Sequence, residues 1–151
     1  MVPAVRSADC VPLLLVDPRG RATAAVHAGW RGTAAGIAAA AVERMRALGA
    51  GNGLVVALGP AILGCCYEVG EEVVAALGTP EAVARRRPGE LPKVDLHAAN
   101  VVQLLAAGVR REDIHRAPWC TRCRNDLFFS ARAEGARAGR LMAAAGPAAR
   151  P

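Results

Sequence analysis

The sequence predicts an α+β or α/β sandwich built on a mixed sheet. Three observations carry this. Short apolar runs of strand length, at residues 13–16, 23–26 and 54–58, alternate with longer stretches of helical spacing. The first two runs flank Asp17-Pro-Arg-Gly20, a turn signal that makes them an antiparallel hairpin. The strands and helices that follow lack strict βαβ regularity, so a purely parallel sheet is not expected.

The elements follow in order. Cys10 stands just before the first hairpin strand and His27 just after the second, so the hairpin returns the chain towards its start. Residues 33–48 form an alanine-rich helix, with Thr33 as N-cap and Gly49 as its stop. Residues 54–58 read as a buried strand halted by Gly59-Pro60. A helix starts at 71–77. Residues 80–92 are polar, arginine-rich and proline-bounded, which fits a loop or mobile insert. A second long helix spans 94–108, with Asp95 as N-cap and Gly108 as its stop. Strands are expected at 114–117 and 127–130, a loop at 118–123 and a charged loop at 131–138. A last strand or short helix spans 139–145, and residues 146–151 read as frayed.

Composition bounds the function. With 151 residues the chain is long enough for one domain with a real core and too short for two ordinary ones. It is 53% hydrophobic, which favours a folded protein. No stretch of membrane-spanning length is free of charge or glycine, and no basic-then-apolar leader opens the chain. A cytoplasmic protein without membrane contact is therefore expected. The net charge is +6, but all the basic residues except Lys93 are arginine in an alanine-crowded chain. That pattern reads as coding bias. The arginines, including Arg85-Arg-Arg87, read as a solvated surface. Aromatics make up 3% of the chain and no nucleic-acid motif appears, so no nucleic-acid partner is expected. Five cysteines without a leader point to buried, metal-bound or catalytic thiols rather than disulfides.

A thiol and an imidazole sharing one cavity bind zinc or activate a nucleophile. Cys10 and His27 are candidates for either role. After His27, the glycines Gly29 and Gly32 let backbone approach a ligand, and Arg31 is placed to clamp a phosphate or carboxylate.

Several motifs then occur in order: Asp9-Cys-Val-Pro12, His27-Ala-Gly-Trp-Arg-Gly-Thr33, Leu58-Gly-Pro-Ala-Ile62, Tyr67-Glu-Val-Gly70, Asp95-Leu96 with Asn100, Cys120-Thr121 and Phe128-Phe-Ser130. Together they resemble the YfiH family, formerly named polyphenol oxidase or laccase-domain proteins. The resemblance runs from about Arg6 to Met142. It implies an α/β/α sandwich related to the catalytic domain of cytotoxic necrotizing factor toxins. It also implies zinc-dependent phosphorolysis of adenosine, inosine and methylthioadenosine, together with deamination of adenosine. Purine nucleosides and phosphate are the implied partners. Cys10 and His27 match two of the family's three zinc ligands. Arg31 with Gly29 and Gly32 match a phosphate cradle. Glu68 reads as a helix cap or a substrate-binding acid/base, and Arg132 as an arginine facing the cavity.

The family's first zinc-binding histidine lies in a segment upstream of the Asp-Cys motif, and this chain begins nine residues before Cys10. The expectation is a single domain over residues 1–151 that lacks the usual N-terminal segment, with self-association through the edge so exposed. His97 and His115 are expected to be structural or surface residues. Cys65-Cys66 and Cys120-Thr-Arg-Cys123 could together form a structural zinc site, but adjacent cysteines are poorly spaced for one ion and a lone CxxC is a weak signal, so plain buried thiols are the expectation. Three further readings stand beside the main one: an inactive purine- or partner-binding remnant, a cysteine hydrolase using Cys10 and His27, and a copper polyphenol oxidase. Laccase chemistry needs several histidines around multiple coppers, and the chain has three.

Overall fold

The computed structural model describes residues 1–85 and 87–146. Arg86 and residues 147–151 lie outside the described residues, so the Arg85–Arg87 cluster and the frayed tail are only partly covered. The predicted class holds: the chain is α/β with a mixed sheet. Among the described residues there are eight strands: β1 Ala4–Ser7, β2 Val11–Val16, β3 Thr23–Ala28, β4 Val55–Leu58, β5 Val83–Arg85, β6 Lys93–Val94, β7 Ile114–Arg116 and β8 Leu141–Ala144. Five helices accompany them: α1 Trp30–Ala34, α2 Ile37–Ala47, α3 Glu71–Leu77, α4 Leu96–Ala106 and α5 Ala131–Glu134. The central sheet has the order β3-β2-β4-β7. Its first two pairings are antiparallel and β4–β7 is parallel. Two small antiparallel pairs, β1–β8 and β5–β6, flank it.

The hairpin forms where the turn chemistry places it. The Asp17 carboxylate accepts from the Arg19 backbone N–H and from the Arg21 guanidinium, which closes the turn. Val11, Leu13 and Leu15 alternate inward along β2 and are completely buried. Each such side chain contributes roughly 1.5–3 kcal/mol by leaving water. They meet Val56 and Leu58 of β4 and Val42 and Met45 of α2 in one core. The register sets Pro12 against His27 and Val11 against Ala28. Alternation along the strands therefore puts Cys10 and His27 on the opposite face from Leu13 and Leu15.

Four expectations shift. The helix predicted from Thr33 is two helices, because Gly36 adopts φ +78° and breaks the run. Thr33 is then not a cap: it lies fully buried inside α1, where its hydroxyl accepts from Asn100 Nδ2 at 3.0 Å. Residues 127–130 form no strand. Ser130 instead caps α5 by accepting from the Ala133 N–H, and Phe129 lies over Gly139. Residues 80–92 contain a 3-10 turn and strand β5, which pairs with β6 and so anchors that segment to the fold. Lastly, β1 and β8 pair across almost the whole chain length. Helix α4 has the predicted cap, with Asp95 accepting from the His97 and Ala98 N–H groups. Among the described residues, no helix is long and apolar enough to cross a membrane.

Candidate functional site

Cys10 ends the turn between β1 and β2, and its position is set by Asp9. Asp9 is buried and adopts φ +82°, a region costly for residues with a side chain. Three contacts hold it there. Its carboxylate accepts from Thr121 Oγ1 at 2.6 Å and from the Arg132 backbone N–H at 2.7 Å. Its carbonyl accepts from the Ile62 N–H at 2.9 Å. Three distant segments thus converge on the residue before the thiol.

His27 lies within β3, one residue before its end, rather than beyond it. Its Nδ1 stands 3.0 Å from the Arg6 carbonyl oxygen. A carbonyl only accepts, so Nδ1 carries the proton and Nε2 presents its lone pair. This is the outer hydrogen bond that fixes the tautomer of a metal-binding histidine. Nε2 and the Cys10 sulfur converge over Gly29. A Cβ placed on Gly29 would meet Cys10 Sγ at 3.1 Å and His27 Nε2 at 3.7 Å. The two donor atoms are therefore no further apart than the sum of those distances, and the absence of a side chain at Gly29 leaves space beside both.

A cavity of about 280 Å³ is lined by Cys10, His27, Gly29, Trp30, Arg31 and Gly32. The sequence-predicted group is thus assembled in one place. The Arg31 guanidinium lies over the Trp30 ring at 4.2 Å. Helix α1 is held against α4 by the Thr33–Asn100 bond and by Gln103, which donates to the Thr33 carbonyl at 2.6 Å. Gly32 is less constrained than Gly29, since a Cβ there would make only ordinary contacts with Ile37 and the His27 carbonyl. A larger hollow near Asp17, Arg21 and Gly51 brings together no nucleophile, imidazole or thiol.

Burial pushes the Cys10 thiol up, the Asp9 carboxylate adds to this, and Arg140 opposes it. The free thiol is therefore protonated near neutral pH. Tyr67, Arg132 and Arg140 belong to the same neighbourhood. Burial raises the Tyr67 hydroxyl and Cys10 reinforces this, against Arg132. The Arg132 guanidinium stands 5.3 Å from the Tyr67 ring centre and donates to the Glu68 carbonyl at 3.0 Å. The Glu68 carboxylate does not cap α3, whose N-cap is Gly70. It pairs instead with Lys93 Nζ at 3.3 Å. Asp9, Tyr67 and Thr121 are the residues that sequence reasoning had not assigned to the site. Their signal was their place inside the motifs.

The other histidines are elsewhere. His97 is buried in α4, with Nε2 donating to the Gly59 carbonyl at 3.0 Å and Nδ1 without a partner. His115 is exposed on β7. Among the described residues, the one group of three or more metal donors is Cys65, Cys66, Cys120 and Cys123. These are not plain buried thiols: Cys65 and Cys123 are exposed. Burial pushes Cys66 up to about 11. Burial also pushes Cys120 up, but N–H groups of Leu63, Cys123 and Arg122 directed at its sulfur bring it down to about 7.

The chain is similar to known proteins over nearly its whole length. Residues 1–147 match the family model described as multi-copper polyphenol oxidoreductase laccase. The chain is 42% identical over 148 residues to adenosine deaminase RL5 from an unknown prokaryotic organism, covering 94% of this chain and 56% of that protein. It is 43% identical over 144 residues to purine nucleoside phosphorylase YlmD of Geobacillus stearothermophilus, covering 90% and 52%. The crystal structure of YlmD superposes with a TM-score of 0.90 at 38% identity, covering 97% of this chain and 57% of that one. The Bacillus licheniformis hypothetical protein YfiH superposes with a TM-score of 0.89 at 34% identity, with the same two coverages. The chain thus spans a little over half the length of the relatives it matches.

Proposed function

The chain belongs to the multi-copper polyphenol oxidoreductase laccase family, and on that footing we propose that it serves purine nucleoside chemistry rather than phenol oxidation. The reading is a zinc-dependent purine nucleoside phosphorylase acting on adenosine, inosine and methylthioadenosine, with adenosine deaminase activity. The chain works as a single domain in the cytoplasm. The observation that carries this is the meeting of Cys10 Sγ and His27 Nε2 over Gly29, in a cavity that also holds Arg31. The names of the relatives supply the substrate class.

The donor pair fits the sulfur–nitrogen part of a zinc site. The His27 tautomer is already the binding one, and the Cys10 thiol is one that a cation would deprotonate. A catalytic zinc takes three protein ligands. No third histidine, cysteine or carboxylate joins the pair among the described residues. Zinc, when bound, supplies Lewis acidity that makes water a competent nucleophile near neutral pH. The side chains do the rest. Arg31, its guanidinium over the Trp30 ring, orients phosphate for attack on the ribose carbon. As the new C–O bond forms, the glycosidic C–N bond breaks and the base leaves. Positive charge develops on the sugar, and the phosphate charge beside it stabilises that change. Tyr67, whose hydroxyl burial and the neighbouring Cys10 keep protonated, offers a hydrogen-bond donor, and the Arg132 guanidinium lies against its ring.

Two alternatives lose support. A cysteine nucleophile needs a lowered pKa or a bonded base. Cys10 is raised, and no hydrogen bond joins it to His27 among the described residues. Multi-copper chemistry needs clustered histidines, and these three are dispersed. Zinc analysis of the purified chain, with turnover of adenosine measured with and without phosphate, tests the proposal. Adenine release that needs phosphate, and inosine release that does not, are expected. A chain that carries no zinc and turns over neither reaction contradicts it.

A further inference from the structure

Four thiols that the nucleoside reading does not use come together from two loops. Cys65 and Cys66 lie in the turn after β4, and Cys120 and Cys123 in the turn after β7. Their four sulfurs all lie within 4.8 Å of one another. Cys65 Sγ is 3.7 Å from Cys123 Sγ, and Cys66 Sγ is 3.4 Å from it. A tetrahedral zinc with bonds of about 2.3 Å to sulfur sets its thiolates roughly 3.8 Å apart. From this geometry we infer that Cys65, Cys66, Cys120 and Cys123 form a structural tetrathiolate zinc site, separate from the Cys10–His27 pair.

The adjacency of Cys65 and Cys66 is no obstacle in this fold. In a strand, neighbouring side chains point to opposite faces. Here the segment is a tight turn, with the N–H groups of Cys66 and Tyr67 both donating to the Leu63 carbonyl. That curvature turns both sulfurs towards Cys123. The site is also supported from outside. The Leu63 N–H donates to Cys120 Sγ at 3.5 Å, the kind of backbone bond that steadies a metal thiolate. A bridge between Ala61 and Cys120 and the Thr121 N–H to the Ala61 carbonyl hold the two loops in register. Lys93 Nζ donates to the Cys65 carbonyl at 3.1 Å, which ties that turn to β6.

Four thiolates fill the tetrahedron, so the site has no open position and serves structure. Each thiol releases its proton to solvent as its sulfur takes the metal, and nothing is oxidised or reduced. The consequence reaches the candidate active site. Thr121, between two of the ligands, is the residue whose hydroxyl holds the Asp9 carboxylate. The zinc thereby pins the loop that positions Cys10.

The test is metal stoichiometry of the full chain by native mass spectrometry, together with the absorption spectrum after cobalt substitution. One zinc is expected to survive in the Cys10→Ser/His27→Ala variant and to be lost in Cys123→Ser and in Cys66→Ser. Cobalt in the unmodified chain is expected to give the sulfur-to-metal charge-transfer band of a tetrathiolate, retained after His27→Ala. Zinc content insensitive to both Cys123→Ser and Cys66→Ser overturns the proposal. So does a metal-free native chain in which these thiols are open to a thiol reagent or joined as disulfides. Failure of the nucleoside reading shows separately, as zinc content unchanged by His27→Ala.

Discussion

Replacing Gly29 by alanine separates the metal site from the fold. The backbone at Gly29 has φ −75° and ψ 172°, extended values that alanine adopts without strain. The substitution therefore carries no conformational penalty, and loss of glycine freedom in the unfolded chain favours the fold by about 0.4–1 kcal/mol. The new methyl would stand 3.1 Å from Cys10 Sγ, inside the roughly 3.5–4.0 Å separation at which non-bonded atoms attract. The thiol must retreat by about half an ångström from its position beside His27. A displacement of that order at a ligand resembles loss of a supporting contact, which costs about 10–100-fold in metal affinity. Competition with a chromophoric chelator measures the affinity, and thermal melting measures the fold. Affinity is expected to fall at least tenfold with an unchanged or raised Tm. Gly32→Ala, whose methyl would touch only Ile37 and a carbonyl, should leave affinity unchanged. Equal affinity in Gly29→Ala and the unmodified chain would refute the reasoning, as would a collapsed Tm.

Asp9→Asn keeps a residue tolerant of φ +82° but offers the Thr121 hydroxyl and the Arg132 N–H one acceptor oxygen instead of two. It should lower stability by about 1–3 kcal/mol in urea unfolding. Arg31→Met should raise the KM for phosphate about tenfold or more, as loss of a charge-assisted contact of 1.5–3 kcal/mol requires, with zinc content constant in elemental analysis. Burial lowers the His97 pKa and Arg116 adds to this, against Asp95 and the Gly59 carbonyl, and Nδ1 has no partner. As pH falls below the ordinary histidine value, the unfolded chain takes up a proton that the folded chain does not. Stability should then drop by up to about 1.4 kcal/mol per pH unit until the folded pKa is passed. His97→Gln, which can still donate to the Gly59 carbonyl, should flatten that part of a melting-temperature profile against pH.

The hairpin and its two candidate site residues were legible because one short turn fixes the register. Once Asp17-Pro-Arg-Gly20 closes, Pro12 must face His27, and parity places Cys10 on the same face. Arg31 and the glycines followed from the same stretch. What was not legible depended on partners far along the chain. Pairing of β1 with β8 joins Ala4 to Ala144, and neither segment carries a turn signal naming the other. Residues 127–130 have strand-forming side chains, yet the fold uses Ser130 as a cap and Phe129 as a cover over Gly139. The cysteine cluster was misjudged for a related reason. Spacing argues only about one segment, and these four thiols come from two loops that follow β4 and β7. Asp9 drew no attention as a short acidic residue beside a cysteine, and its role appears only with Thr121 and Arg132 in place.

Anomalous scattering at the zinc absorption edge, from crystals of the chain grown with zinc, tests the Cys10–His27 centre directly. A peak within bonding distance of both Cys10 Sγ and His27 Nε2, above the α-carbon of Gly29, is the predicted result. Zinc-loaded crystals with no anomalous density between that sulfur and that nitrogen would contradict it.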